Sequence, residues 1–136
     1  MRKVLIADDS EIMRTAIRKL LQEESNIRVV GEAATFAETV QMIADFKPDV
    51  LVLDLHMPEK RNFTPALVKA QLSTVCTVAV SFSDDSDSKT LAESYGAATL
   101  LDKMSLYAEI LPAIKKCRPD LEQFPLKAPK RKARAA

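Results

Sequence analysis

Asp8 and Asp9 follow a short apolar run, Val4 to Ala7, and precede Ser10, where a helical pattern begins. Asp54 closes a second run in "VLVLDLHMP", Ser81 closes a third in "VAVSFS", and Lys103 follows a fourth in "ATLLDK". Three carboxylates gathered at ~4 Å would repel by about 4 kcal/mol per pair at an effective dielectric of about 20, so such a group calls for a cation. Oxygen donors without cysteine or clustered histidine suit a hard ion, Mg2+ before Ca2+. Lys103 adds a fixed positive charge and Ser81 a hydroxyl donor. Acids, a metal, a hydroxyl and a lysine around one centre make a phosphoryl-transfer site, with a carboxylate as nucleophile and an acyl phosphate as product. Each residue also has a plain structural role. Asp8, Asp9 and Ser10 can cap a helix, and Asp54, Ser81 and Lys103 can be ordinary strand-end polar residues. Their joint occurrence after four strand-like runs favours the chemistry.

The elements that must position these residues are legible as an alternation. Apolar runs at 3–7, 27–33, 49–55, 77–82 and 97–101 are rich in Val, Ile and Leu, and their continuous apolarity predicts strands buried on both faces of a parallel sheet. Helical spacing joins them. Ile12, Ala16, Ile17, Leu20 and Leu21 follow Ser10; Phe36, Val40, Ile43 and Ala44 follow Thr35 and stop before Pro48. A short third helix starts at Thr64-Pro65 with Leu67, Val68 and Leu72, a polar fourth covers roughly 86–95, and a fifth runs from Ser105 through Ile114. Pro112 lies inside the fifth and should kink or break it. β-α five times over gives a three-layer α/β fold with right-handed crossovers, whose ligands bind at the carboxyl ends of the strands.

The chain has 136 residues, enough for one domain with a real core. No apolar run approaches the ~18 residues of a membrane-spanning helix, and the basic-then-apolar start is too short for a signal peptide and reads as a cytosolic one. Cys76, Cys117 and the single histidine do not match zinc-ligand spacing, so the two cysteines are expected as reduced thiols. After Glu122 there is no acid but five basic residues; without them 15 basic residues face 19 acidic, a body of −4. The reading is therefore a domain over 1–120 and a basic tail over 121–136, expected to be disordered, with no nucleic-acid surface on the body.

"VLIADDSEIMR", "VVGEA", "KPDVLVLDLHMP", "VAVSFSDD" and "GAATLLDK" together resemble a response-regulator receiver domain of two-component signalling, in order, over about residues 2–118. The resemblance implies a flavodoxin-like (βα)5 sheet of strand order 2-1-3-4-5, and a cytoplasmic protein that is no enzyme beyond its own phosphorylation and dephosphorylation. It implies Asp54 as phosphoacceptor, with Mg2+ held by Asp9, Asp54 and the main-chain carbonyl of His56, and by Asp8 mainly through water. Ser81 and Lys103 would contact the phosphoryl oxygens. A phosphohistidine on a sensor histidine kinase or phosphotransfer protein would be the donor, and a homodimer through the fourth helix, fifth strand and fifth helix is possible.

The sequence departs from the receiver pattern in its switch. Leu100 stands where an aromatic is usual, Phe82 where a small residue follows the hydroxyl, and Met104 where a proline follows the lysine. These changes leave the phosphorylation chemistry intact and make an atypical output switch the expectation. Other readings stay open: a phosphorylation-independent receiver-like interaction module, the receiver of a DNA-binding regulator whose output domain is absent, an aspartyl-phosphate phosphatase assisted by His56, or a flavin- or nucleotide-binding domain. The last fits poorly, since Asp8-Asp9 replaces the glycine-rich loop that would cradle a phosphate.

Overall fold

The structure, a computed structural model, describes residues 1–58, 62–83 and 85–118. The expected basic tail and part of the loop after Pro58 lie outside these residues. Five strands alternate with five helices: β1 (Arg2–Ala7), α1 (Glu11–Gln22), β2 (Ile27–Ala33), α2 (Phe36–Phe46), β3 (Val50–Asp54), α3 (Pro65–Gln71), β4 (Cys76–Ser81), α4 (Ser86–Ser94), β5 (Thr99–Asp102) and α5 (Leu106–Lys116), the last preceded by a 3-10 turn at Lys103–Ser105. All strand pairs are parallel, in the order β2-β1-β3-β4-β5. This is the doubly wound fold that the alternation predicted.

Period-two alternation splits the core into two layers. Val4, Ile6, Val50, Val52, Val78 and Val80 point to one face, where they meet Ile17 and Leu21 of α1 and Leu106, Ile110 and Ile114 of α5. Leu5, Leu51, Leu53 and Ala79 point to the other, against Phe36 and Ile43 of α2, Val68 of α3 and Ala92 of α4. A sheet sealed on both faces needs continuous apolar strands, which explains why the runs lack polar alternation.

Helix starts are set by local chemistry. The Ser10, Thr35 and Thr64 side chains accept from the N–H groups of Met13, Glu38 and Leu67, as their types predicted. Helix α4 begins at Asp85, whose carboxylate accepts from the Ser88 N–H at 2.9 Å. It ends in a Schellman arrangement: the Ala97 and Gly96 N–H groups return to Ala92 and Glu93 carbonyls, and Gly96 carries φ +78°, where a Cβ would strain the backbone. Helix α2 ends at Lys47, which holds φ 48° without being glycine. Lys47→Gly is therefore expected to raise stability by about 0.5–1 kcal/mol, read as a higher urea midpoint at unchanged slope.

Three sequence expectations are corrected. Pro112 does not break α5, which runs through it; the buried side chains of Leu106, Ile110 and Ile114 hold the helix on the sheet on both sides of the missing donor. Ile12 fits the α1 periodicity but is 82% exposed, because it lies in the first turn beyond the strand ends. Cys76 and Cys117 are not free thiols but a disulfide, with Cα atoms 5.9 Å apart across 41 residues. The start of β4 and the end of α5 arrive at the same pole of the sheet, which no local pattern reveals. At that pole the buried Arg2 side chain donates from Nε to the Cys117 carbonyl (2.8 Å) and from Nη2 to that of Lys115 (2.6 Å). It thus caps the carboxyl end of α5 from the start of β1. Among the described residues no helix is long and apolar enough to cross a membrane.

Candidate functional site

At the opposite pole the carboxyl ends of β1, β3, β4 and β5 converge. Asp8 and Asp9 directly follow β1, Asp54 and Ser81 are the last residues of β3 and β4, and Lys103 directly follows β5. One carboxylate oxygen from each of Asp8, Asp9 and Asp54 lies within 4.8 Å of the others. Asp8 and Asp54 are buried and Asp9 is exposed, so the cluster has a closed floor and an open side. The Lys103 ammonium, its side chain only 4% exposed, lies 2.9 Å from Asp8 Oδ2 and 3.5 Å from Asp54 Oδ2.

Ser10 caps α1, so neither aspartate is spent on that role. Asp8 Oδ1 accepts from the Ser10 N–H at 2.8 Å, and the Asp8 carbonyl accepts from Arg14 Nη1 at 2.6 Å. Arg14 is in turn paired with Glu32, 3.4 Å away. These contacts fix the loop that aims both acids at Asp54. Asp54 Oδ1 accepts from the His56 N–H at 3.0 Å.

Asp8 Oδ2 is buried and makes no directed hydrogen bond; the Lys103 ammonium beside it is its only charge partner among the described residues. A buried carboxylate oxygen with an unused lone pair, in a set of oxygen-only donors, fits a hard divalent cation such as Mg2+. The exposed Asp9 offers the route by which a hydrated ion would enter.

Ser81 is fully buried. Its Oγ accepts from the Ser83 N–H at 3.0 Å and lies 3.0 Å from His56 Nε2. Sequence reasoning placed His56 at the site through its main chain and gave the ring a role only in the phosphatase reading; the ring engages the Ser81 hydroxyl. The signal was a histidine two residues beyond a strand-end aspartate. Phe82 turns outward, 64% exposed, with its ring centroid 4.9 Å from the Lys103 ammonium. It covers the lysine as a cation–π partner. Met104 is 80% exposed, and the peptide bond joining it to Lys103 is trans. Leu100 packs half-buried against the α2–α4 layer.

Helix α4 flanks the site. Hydrogen bonds from the Ser88 main chain and the Ser83 hydroxyl hold the Asp85 carboxyl below the usual carboxylate range. Burial pushes the Tyr95 phenol up. Between α4 and the loop after β3 lies an open cleft of about 400 Å3, lined by His56, Met57, Phe63, Leu91 and Tyr95 among others.

The model of the response regulator receiver domain family matches residues 4–115. The protein-glutamate methylesterase/protein-glutamine glutaminase 2 of Shewanella oneidensis is 30% identical over 106 residues, 76% of this chain and 30% of that protein. The third such protein of Geobacter sulfurreducens is 32% identical over 101 residues, 74% of this chain and 27% of that protein. The chain thus spans less than a third of these curated relatives. The signal receiver domain of the putative response regulator NarL from Mycobacterium tuberculosis superposes with a TM-score of 0.75 at 29% identity, covering 85% of this chain and 94% of that one. The response regulator domain of Thermotoga maritima CheB gives 0.74 at 24% identity, covering 86% and 96%.

Proposed function

This chain belongs to the response regulator receiver domains of two-component signalling, and on that premise we propose that Asp54 accepts a phosphoryl group from a phosphohistidine. One observation carries the reading: the buried Lys103 ammonium sits against both Asp8 and Asp54 at the open end of the sheet. A structural ion pair needs one carboxylate; two, with a third carboxylate beside them, leave an excess of negative charge that a metal ion can absorb.

In this reading Asp9, Asp54 and the His56 main-chain carbonyl would hold Mg2+, and Asp8 would act mainly through water. The ion would neutralise phosphoryl oxygens and so lower the charge barrier to attack. An Asp54 oxygen forms the bond to phosphorus as the phosphorus–nitrogen bond of the phosphohistidine breaks. Lys103 follows the charge that develops on the phosphoryl group, and Ser81 donates its hydroxyl to one of the oxygens. The donor would be a sensor histidine kinase or phosphotransfer protein, and the setting cytoplasmic. The methylesterase and glutaminase names belong to relatives of whose length this chain spans less than a third.

The test is intact mass after treatment with acetyl phosphate and Mg2+, quenched in acid. One phosphoryl adduct is expected, absent without Mg2+ and absent in Asp54→Ala. No adduct from either acetyl phosphate or a cognate kinase would favour a phosphorylation-independent interaction module.

A further inference from the structure

We propose that the His56 ring is a latch on Ser81: it occupies the hydroxyl in the resting domain and must release it before the hydroxyl can reach a phosphoryl group. The inference rests on Asp54 being the acceptor and assigns the release step to a particular side chain.

The hydrogen-bond inventory of Ser81 carries it. A serine hydroxyl has one proton and two lone pairs. The Ser83 N–H fills one lone pair at 3.0 Å. The hydroxyl is sealed from solvent, so its proton needs a partner inside the protein. Among the described contacts the only acceptor within reach is His56 Nε2, at 3.0 Å. With Nε2 as acceptor, the proton that Ser81 would give a phosphoryl oxygen is already committed. Phosphoryl binding competes with the latch directly.

The latch also has somewhere to go. His56 is exposed, and it lines the 400 Å3 cleft together with Phe63, Leu91 and Tyr95. Release therefore moves a ring toward α4. Leu100 has no ring to move, and in this chain His56 supplies the mobile aromatic from the other side of Ser81.

A two-by-two set of full-length variants at positions 56 and 81 tests the latch by the rate of Asp54 adduct formation with phosphoramidate and Mg2+. His56→Ala leaves the main-chain bond from residue 56 to Asp54 in place, so the domain should fold normally, which thermal unfolding checks. Loss of one neutral hydrogen bond predicts adduct formation roughly two- to tenfold faster than wild type. In the Ser81→Ala background the same change should have no effect, because the hydroxyl it frees is gone. His56→Gln offers an acceptor oxygen at similar reach and should restore the slow rate. His56 is the only histidine, so its ring signals are unique, and in the phosphorylated protein they should gain nuclear Overhauser contacts to Tyr95 or Phe63. An unchanged or slower rate in His56→Ala, or an acceleration that persists without Ser81, overturns the latch. Failure of wild type to form any adduct would instead overturn the reading of Asp54, and the latch with it.

Discussion

Replacing Lys103 with methionine should lower the unfolding free energy by about 3–5 kcal/mol at neutral pH without added Mg2+. The substitution keeps an unbranched stem, one atom shorter, and removes the ammonium with its charge and its donors. Asp8 and Asp54 are buried and both lie against this ammonium, at 2.9 and 3.5 Å. Without it, two desolvated carboxylates face each other with Asp9 alongside, and Asp8 Oδ2, which makes no directed hydrogen bond, loses its charge partner. Mg2+ binding to the acidic cluster should restore much of the loss, since a ligand at about a hundredfold its Kd adds about 2.7 kcal/mol. The variant should then show a larger Mg2+-induced rise in its denaturant midpoint than wild type. Phosphoryl uptake should stay low even with Mg2+, by about a hundredfold, because the metal does not replace the lysine's contact with the transferring group. A stability change below 1 kcal/mol would mean that Lys103 is solvated in solution and that the buried pairing is wrong.

Breaking the Cys76–Cys117 bond is the second large effect. The bridge closes a loop over 41 residues of chain, and chain-entropy arguments assign such a loop about 4 kcal/mol. For a domain of this size that corresponds to a fall in melting temperature on the order of 15 °C. Cys76 and Cys117 also pack in the layer between the sheet and α1 with α5, so their replacements must stay small and add no polar group. The clean design is wild type with and without reductant beside a Cys76→Ala/Cys117→Ala double variant. The reduced protein and the variant should melt close together, and the variant should ignore reductant. Coincident curves for oxidised and reduced wild type would show that the bridge is not formed or not stabilising. The loop it closes contains both Ser81 and Lys103, so the same samples are worth testing for phosphoryl uptake.

What the sequence revealed and what it hid divide along a physical line. Ser10, Thr35 and Thr64 were readable as caps because a cap is a contact over three residues. The two-sided strands were readable because burial on both faces erases alternation. Asp8, Asp9, Asp54, Ser81 and Lys103 were readable as a set because each lies at the end of a strand-like run, and the structure brings all five to one edge. The contacts that were missed depend on where distant segments meet. Nothing near Cys76 announces Cys117, and nothing near Ser81 announces the His56 ring. Local propensity favours a break at Pro112, which does not occur because packing of Ile110 and Ile114 on either side holds the helix. Ile12 was misjudged because periodicity continues for a turn beyond the sheet that would bury it.

The Arg2 cap on α5 has a consequence for biosynthesis. Its acceptors lie 113 and 115 residues further along the chain, while β1 itself is an inner strand of the sheet. On the ribosome, β1 therefore emerges long before the carbonyls that take up its guanidinium. Until α5 has left the exit tunnel, the nascent sheet lacks these two acceptors for a cation that the finished domain buries. Stalling the chain ahead of Lys115 should yield a protease-sensitive intermediate, and stalling it well past Cys117 a resistant one, so that this pole of the domain sets the moment at which folding can finish.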